Sequence, residues 1–182
     1  KEIGAIDYDT RYFNYPAEIY QKGFRIQASL DGTTWTTVVQ KSGLTSSGLF
    51  HFTFDPVLTR YLRVDQIDGF YAKDSGWKYA YVSEIGVREK EETLTQTLAA
   101  KEYLYQYDSE GRITKITESR IETQEKGKTN LAPALKPFAS SSYQGYTPEG
   151  AVDGVAGFLK YGWIGGNVNG RNDWLLLDLG SE

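Results

Sequence analysis

The chain has 182 residues, a formal net charge of −4, 40% hydrophobic and 14% aromatic residues, and no cysteine. That length suits one domain with a sizeable core and an insertion better than two ordinary domains. The acidic balance, with no Lys/Arg cluster, argues against a nucleic-acid partner; no apolar run is long enough to insert across a membrane, and disulfides and thiolate metal sites are excluded.

Residues 1–88 read as strands separated by turns. Phe24, Ile26, Ala28 and Leu30 alternate with Arg25, Gln27 and Ser29 up to an Asp31-Gly32 turn, and Trp35, Val38 and Val39 open the next strand. Phe50, Phe52 and Phe54 alternate with His51, Thr53 and Asp55 until Pro56, which is expected to stop the strand. Tyr61, Arg63 and Asp65 alternate in the same way with Leu62, Val64 and Gln66. Period two dominates without an amphipathic helix, so the expected class is all-β, with a sandwich as the architecture.

From residue 89 to 129 the composition turns to Glu, Lys, Thr and Gln, which reads as a connector. Within it, residues 103–117 hold two alternating runs around Ser109-Glu110-Gly111, the pattern of a β-hairpin. Residues 130–182 supply further strands and loops rich in Gly, Asn and Tyr. The chain opens mid-strand without an initiator Met and is read as part of a larger multidomain protein. Catalysis has little support: the single His51 lies between two phenylalanines, and neither a Gly-x-Ser-x-Gly elbow nor a pair of metal-binding histidines is present, so the chain is expected not to be an enzyme.

Several motifs carry a family resemblance when taken in cyclic order. Asn130-Leu131-Ala132 leads through Lys136-Pro137-Phe138-Ala139 to Ser140-Ser141-Ser142; Ala151-Val152-Asp153-Gly154, Trp163, and Trp174 to Gly180 follow. The pattern continues at the other end of the chain with Phe24 to Trp35, Thr59 to Val64, and Val82 to Val87. The chain thus resembles the discoidin family, also called coagulation factor 5/8 type C, which includes bacterial carbohydrate-binding modules of the family 32-like kind. The resemblance implies a galactose-binding-domain-like β-sandwich or jelly roll, circularly permuted. Residues 1–88 would be its C-terminal half, 130–182 its N-terminal half, and 89–129 an inserted hairpin connector. Such rearrangement is cheap when the original ends lie close together. Two halves of neighbouring tandem domains would give the same order. The segment Tyr105-Gln106-Tyr107-Asp108 to Ile113 also resembles one unit of the tyrosine-aspartate (RHS/YD) repeats of bacterial surface and toxin-delivery proteins. Because the pattern runs across the junction from Glu182 to Lys1, Leu175, Leu177 and Leu179 are expected in a strand beside Lys1 to Ile6, with the chain ends meeting.

The resemblance also implies the sites. A structural Ca²⁺ would use Asp153 and Glu84, hard oxygen ligands of the kind this cation prefers, although Val155-Ala156 stand where the family usually shows Asn or Asp and then Thr. A glycan or polysaccharide would meet the end-of-sandwich loops, where Arg11 can bridge neighbouring hydroxyls. Tyr12, Asn14, Trp77, Tyr79, Tyr143, Tyr146, Asn167 and Arg171 are the other candidate ligand residues, with Trp77 and Tyr146 as the preferred stacking platforms. Trp35, Trp163 and Trp174 match core positions of the family. The expected role is a noncatalytic carbohydrate-binding module, extracellular or on a bacterial cell surface. A structural or adhesion spacer that has lost sugar binding is the alternative, and a phospholipid-binding module is disfavoured by loops of Tyr, Asn and Gly rather than apolar spikes.

Overall fold

In the computed structural model, residues 1–11, 19–72, 81–90, 102–119, 129–155, 162–166 and 173–180 are described. The protein is all-β. In chain order its strands are β1 (Glu2–Asp9), β2 (Ile19–Gln21), β3 (Phe24–Ser29), β4 (Thr36–Lys41), β5 (Leu49–Leu58), β6 (Tyr61–Gln66) and β7 (Phe70–Ala72). They continue as β8 (Tyr81–Val82), β9 (Glu84–Glu89), β10 (Glu102–Tyr107), β11 (Ile113–Ser119), β12 (Lys136–Ala139), β13 (Trp163–Ile164) and β14 (Trp174–Asp178). Residues 1–90 and 129–182 make one compact unit and residues 91–128 a second.

The larger unit has two main antiparallel sheets, one ordered β5-β1-β9 and one ordered β12-β14-β6-β3-β4. Alternation explains which side of each is wet. On β6, Leu62 and Val64 are fully buried while Tyr61, Arg63 and Asp65 are half-exposed; on β14, Leu175 and Leu177 are buried while Trp174, Leu176 and Asp178 are not. Ile3, Ile6 and Tyr8 of β1 and Ile85 and Val87 of β9 face the same core from the other sheet. Burying a side chain of this size is worth about 1.5–3 kcal/mol, so the alternation is the main determinant of strand register.

Four expectations are corrected. The strand holding Leu175 and Leu177 does not lie beside β1: it sits between β12 and β6, with Leu175 opposite Val64 and Leu177 opposite Leu62. The ends of the described chain still converge, because the Lys1 carbonyl accepts from Thr59 N at 2.8 Å while Leu179 N donates to the carbonyl of the next residue, Arg60, at 2.8 Å. Pro56 does not stop β5, which runs on to Leu58. It falls where Gly4 of β1 faces the extra residues Phe54 to Pro56, on an edge strand, so its missing N–H breaks no regular ladder. Leu30 is 58% exposed, since it lies beyond the last residue of β3 and the turn turns it outward. Trp163 is fully buried as expected, but Trp35 and Trp174 are half-exposed and not core residues.

The smaller unit contains the antiparallel pair β10 and β11. Its turn is held by Asp108, whose Oδ1 accepts from Glu110 N and Arg112 N, both at 2.9 Å. Tyr105, Tyr107 and Ile113 are exposed.

Candidate ligand-binding face

Arg11 follows the last residue of β1, and its position is set by Asp9. Two residues apart, Asp9 and Arg11 meet side by side: Nε donates to Oδ1 at 2.9 Å and a terminal nitrogen to Oδ2 at 2.6 Å, while Arg11 N donates to Oδ1 at 3.0 Å. Asp9 is buried, with 1% of its side chain exposed, and Arg11 keeps 32%. The hydrogen bonds that Arg11 donates to Asp9 raise the pKa of Arg11 above its ordinary value, so the guanidinium is a permanent cation held as a rigid fork. The main chain of Asp9 is pinned too, its carbonyl accepting from Ser83 N at 2.8 Å.

From Asp9 the structure leads to the second group of candidates. Ser83 follows β8, whose Tyr81 and Val82 pair with Ile164 and Trp163 of β13. The loop before β13 docks on that strand: Tyr143 N donates to the Ile164 carbonyl at 2.8 Å and Tyr146 N to the Tyr143 carbonyl at 2.8 Å. The Tyr143 and Tyr146 rings lie 6.3 Å apart at 34°. Tyr81, largely buried, has its pKa raised first by that burial and also by the nearby negative charge of Asp9 and by Tyr146. Main-chain hydrogen bonds thus connect Asp9, through Ser83 and β8, to β13 and the loop that carries Tyr143 and Tyr146. Tyr12, Asn14, Trp77, Tyr79, Asn167 and Arg171 lie outside the described residues.

Two further residues shape this end without having stood out as a pattern. Asp173, fully buried, accepts from Ser140 Oγ at 3.1 Å and Ser141 Oγ at 2.7 Å, tying the loop to the start of β14. Gly165 is required there, because a Cβ would collide with the Asp173 carboxylate. Trp163 Nε1 donates to the Ser141 carbonyl at 2.9 Å, so the buried indole holds the same loop from beneath. Behind Asp9, the hydroxyl of Tyr8 accepts from Gln21 Nε2 at 3.2 Å and from Gln66 Nε2 at 3.1 Å; burial holds its pKa far above the ordinary tyrosine value.

Asp153 and Glu84, the candidate metal ligands, are neighbours. Gly154, at φ +80°, turns its N–H toward Glu84 Oε1 at 3.3 Å, while Asp153 Oδ1 accepts from Val155 N at 2.9 Å. The other carboxylate oxygens, Glu84 Oε2 and Asp153 Oδ2, are buried. A hard cation fits two carboxylates that each bury an oxygen beside a tight turn. Among the described residues no group of three or more His, Cys, Asp or Glu forms a metal cluster, so further ligands would be main-chain carbonyls.

No helix among the described residues is long and apolar enough to cross a membrane. No curated protein and no solved structure matches the chain. Residues 1–85 match the family model of the F5/8 type C domain, a family whose members are commonly carbohydrate-binding or protein-interaction modules.

Proposed function

We propose that this chain is a noncatalytic carbohydrate-binding module of a larger extracellular bacterial protein, using the sandwich end that carries Arg11. The observation that carries this reading is the clamp of Arg11 on buried Asp9, whose main chain is linked through β8 and β13 to the loop of Tyr143 and Tyr146. A pyranose has an apolar face that covers an aromatic ring and a polar rim that needs directed donors, and this end offers both on fixed backbone. Binding through one such site is weak and gains strength from repeated copies or attachment to other domains. The order of the family's strands is circularly permuted in this reading, supported by the convergence of Lys1 and Leu179 on Thr59 and Arg60. The connector is a single tyrosine-aspartate hairpin with its turn capped by Asp108.

A glycan array on the purified chain, followed by titration calorimetry of the best galactose-type ligand, tests the reading. Hydrogen bonds from a charged donor are worth about 1.5–3 kcal/mol each, so Arg11→Ala lowers affinity at least about tenfold, and Tyr146→Ala lowers it with the melting curve unchanged. An array without a hit at high protein concentration assigns the chain to a structural spacer instead. The Val155 amide, bonded to Asp153 where relatives place extra donors, favours that second reading.

The same reading includes a structural Ca²⁺ at Asp153 and Glu84. A ligand bound only to the folded state stabilises it by mass action, by about 2.7 kcal/mol at a hundredfold excess over Kd. Ca²⁺ therefore raises the melting temperature of the parent and not that of Asp153→Ala; identical melting in EDTA and in Ca²⁺ would remove the cation from the proposal.

A further inference from the structure

We propose that the outer face of the β12-β14-β6-β3-β4 sheet is a second glycan site, distinct from the loop end, that takes an anionic polysaccharide of the uronate class. Two of the tryptophans, Trp35 and Trp174, lie outside the core. Trp174 points outward from β14, on the side opposite to Leu175, and Trp35 lies against Arg63, whose guanidinium carbon is 4.3 Å from the indole centre. Phe138, 40% exposed on the edge strand β12, pairs in register with Leu176, and Leu176 pairs with Arg63. A half-exposed aromatic and aliphatic row thus crosses the sheet, with an arginine at its centre. At about 4.8 Å between strands the five strands present about 19 Å of continuous face, room for several sugar rings laid end to end.

The polar groups of this face are already oriented. A terminal nitrogen of Arg63 donates to Gln27 Oε1 at 2.8 Å, Arg25 to Asp65 Oδ2 at 3.0 Å, and Arg60 Nε to Asp178 Oδ1 at 3.4 Å. Planar donors fixed on a sheet lose little entropy when a ligand arrives. Charge selects the ligand class. The outward positions of these strands and the turns that adjoin them carry Arg25, Arg60, Arg63 and Lys136 against Asp31, Asp65 and Asp178, an excess of one positive charge with the three arginines ion-paired to Asp65 and Asp178, on a chain whose net charge is −4. This cationic excess, set among rings that a pyranose can cover, fits a carboxylated sugar chain. A second copy of this chain fits poorly, because a two-fold contact would set the same cationic patch against itself.

The test uses the full chain in affinity electrophoresis and titration calorimetry against sodium polygalacturonate, with neutral galactan for comparison. Polygalacturonate is expected to bind at low salt, to weaken as salt rises, and to lose roughly tenfold in affinity in both Arg63→Gln and Phe138→Ser. Melting curves check the fold; should Arg63→Gln not fold, Phe138→Ser decides, since its side chain lies on an exposed edge. The proposal is overturned if polygalacturonate does not bind at low salt, or if galactan binds equally well. It is also overturned if Arg11→Ala removes binding that Phe138→Ser retains, which assigns it to the loop end, or if light scattering finds a dimer that Phe138→Ser dissociates.

Discussion

Trp163→Ala is expected to destabilise the larger unit by about 3–5 kcal/mol, the range for deleting a fully buried large aromatic. Trp163 has no exposed surface, pairs with Val82 across β13 and β8, and donates its indole N–H to the Ser141 carbonyl at 2.9 Å. Alanine leaves a cavity and removes the donor in one step. Since a domain of this kind has only about 5–15 kcal/mol in total, the variant is expected to show a measurable unfolded fraction at modest denaturant. Trp163→Phe separates the two causes. It keeps most of the apolar volume and loses only the hydrogen bond, at about 1–3 kcal/mol, and it should loosen the Ser141 to Tyr146 loop before it loosens the core. Urea unfolding followed by near-ultraviolet circular dichroism measures both, and an alanine variant with the parent midpoint would show that the indole is not the support of this loop.

The strands that bury one face were readable from residues alone. Leu62 and Val64, or Leu175 and Leu177, can reach the core only if their neighbours stay outside, and period two records that constraint. The same parity places Trp174 outward, because it shares a face with Leu176 and Asp178 and not with the buried leucines. Assigning it to the core through the family resemblance overrode a signal that was present in the chain. Which strand lies beside β14 was not readable. Apolar alternation says that a strand needs neighbours, but Leu177 meets Leu62 across 115 positions of sequence, and that choice depends on how the connections cross the sandwich. β5 differed for a local reason, since only the register slip opposite Gly4 lets Pro56 lie inside a strand.

At the candidate site, the resemblance supplied Arg11, Tyr143 and Tyr146, and the structure links the Asp9 main chain to the Tyr143–Tyr146 loop through Ser83, β8 and β13. It could not supply Asp9 or Asp173, for their importance lies in burial. A carboxylate two residues before an arginine is ordinary in sequence; the same carboxylate 1% exposed and holding that arginine by two side-chain bonds is not. Only the three-dimensional path through Ser83 and β8 shows that the Tyr146 loop is linked to it. The spacing Asp-x-Arg at a strand end, which puts both side chains on one face, is the signal that could have found Asp9.

Asp9→Asn is expected to lower sugar affinity as much as Arg11→Ala does, although it leaves the arginine in place. Two opposing effects decide its stability. Asp9 and Glu84 stand opposite each other on β1 and β9, both almost fully buried, and removing one charge relieves a cross-strand repulsion of about 0.2–1 kcal/mol. Against that, the amide offers one acceptor where the carboxylate offered two, and its NH₂ faces the donors of the guanidinium. Charged hydrogen bonds of about 1.5–3 kcal/mol each are at stake, so the loss exceeds the relief, moderated because Arg11 is one-third exposed and can turn toward water. The net expectation is a modest drop in melting temperature and an Arg11 that no longer holds its fork toward the ligand. Because Asp9 acts through Arg11, the double variant Asp9→Asn with Arg11→Ala should bind no more weakly than Arg11→Ala alone. Calorimetry of the four proteins against one ligand settles the matter: additive losses would mean that Asp9 contributes by another route, and parent affinity in Asp9→Asn would mean that the orientation of Arg11 is not what the site depends on.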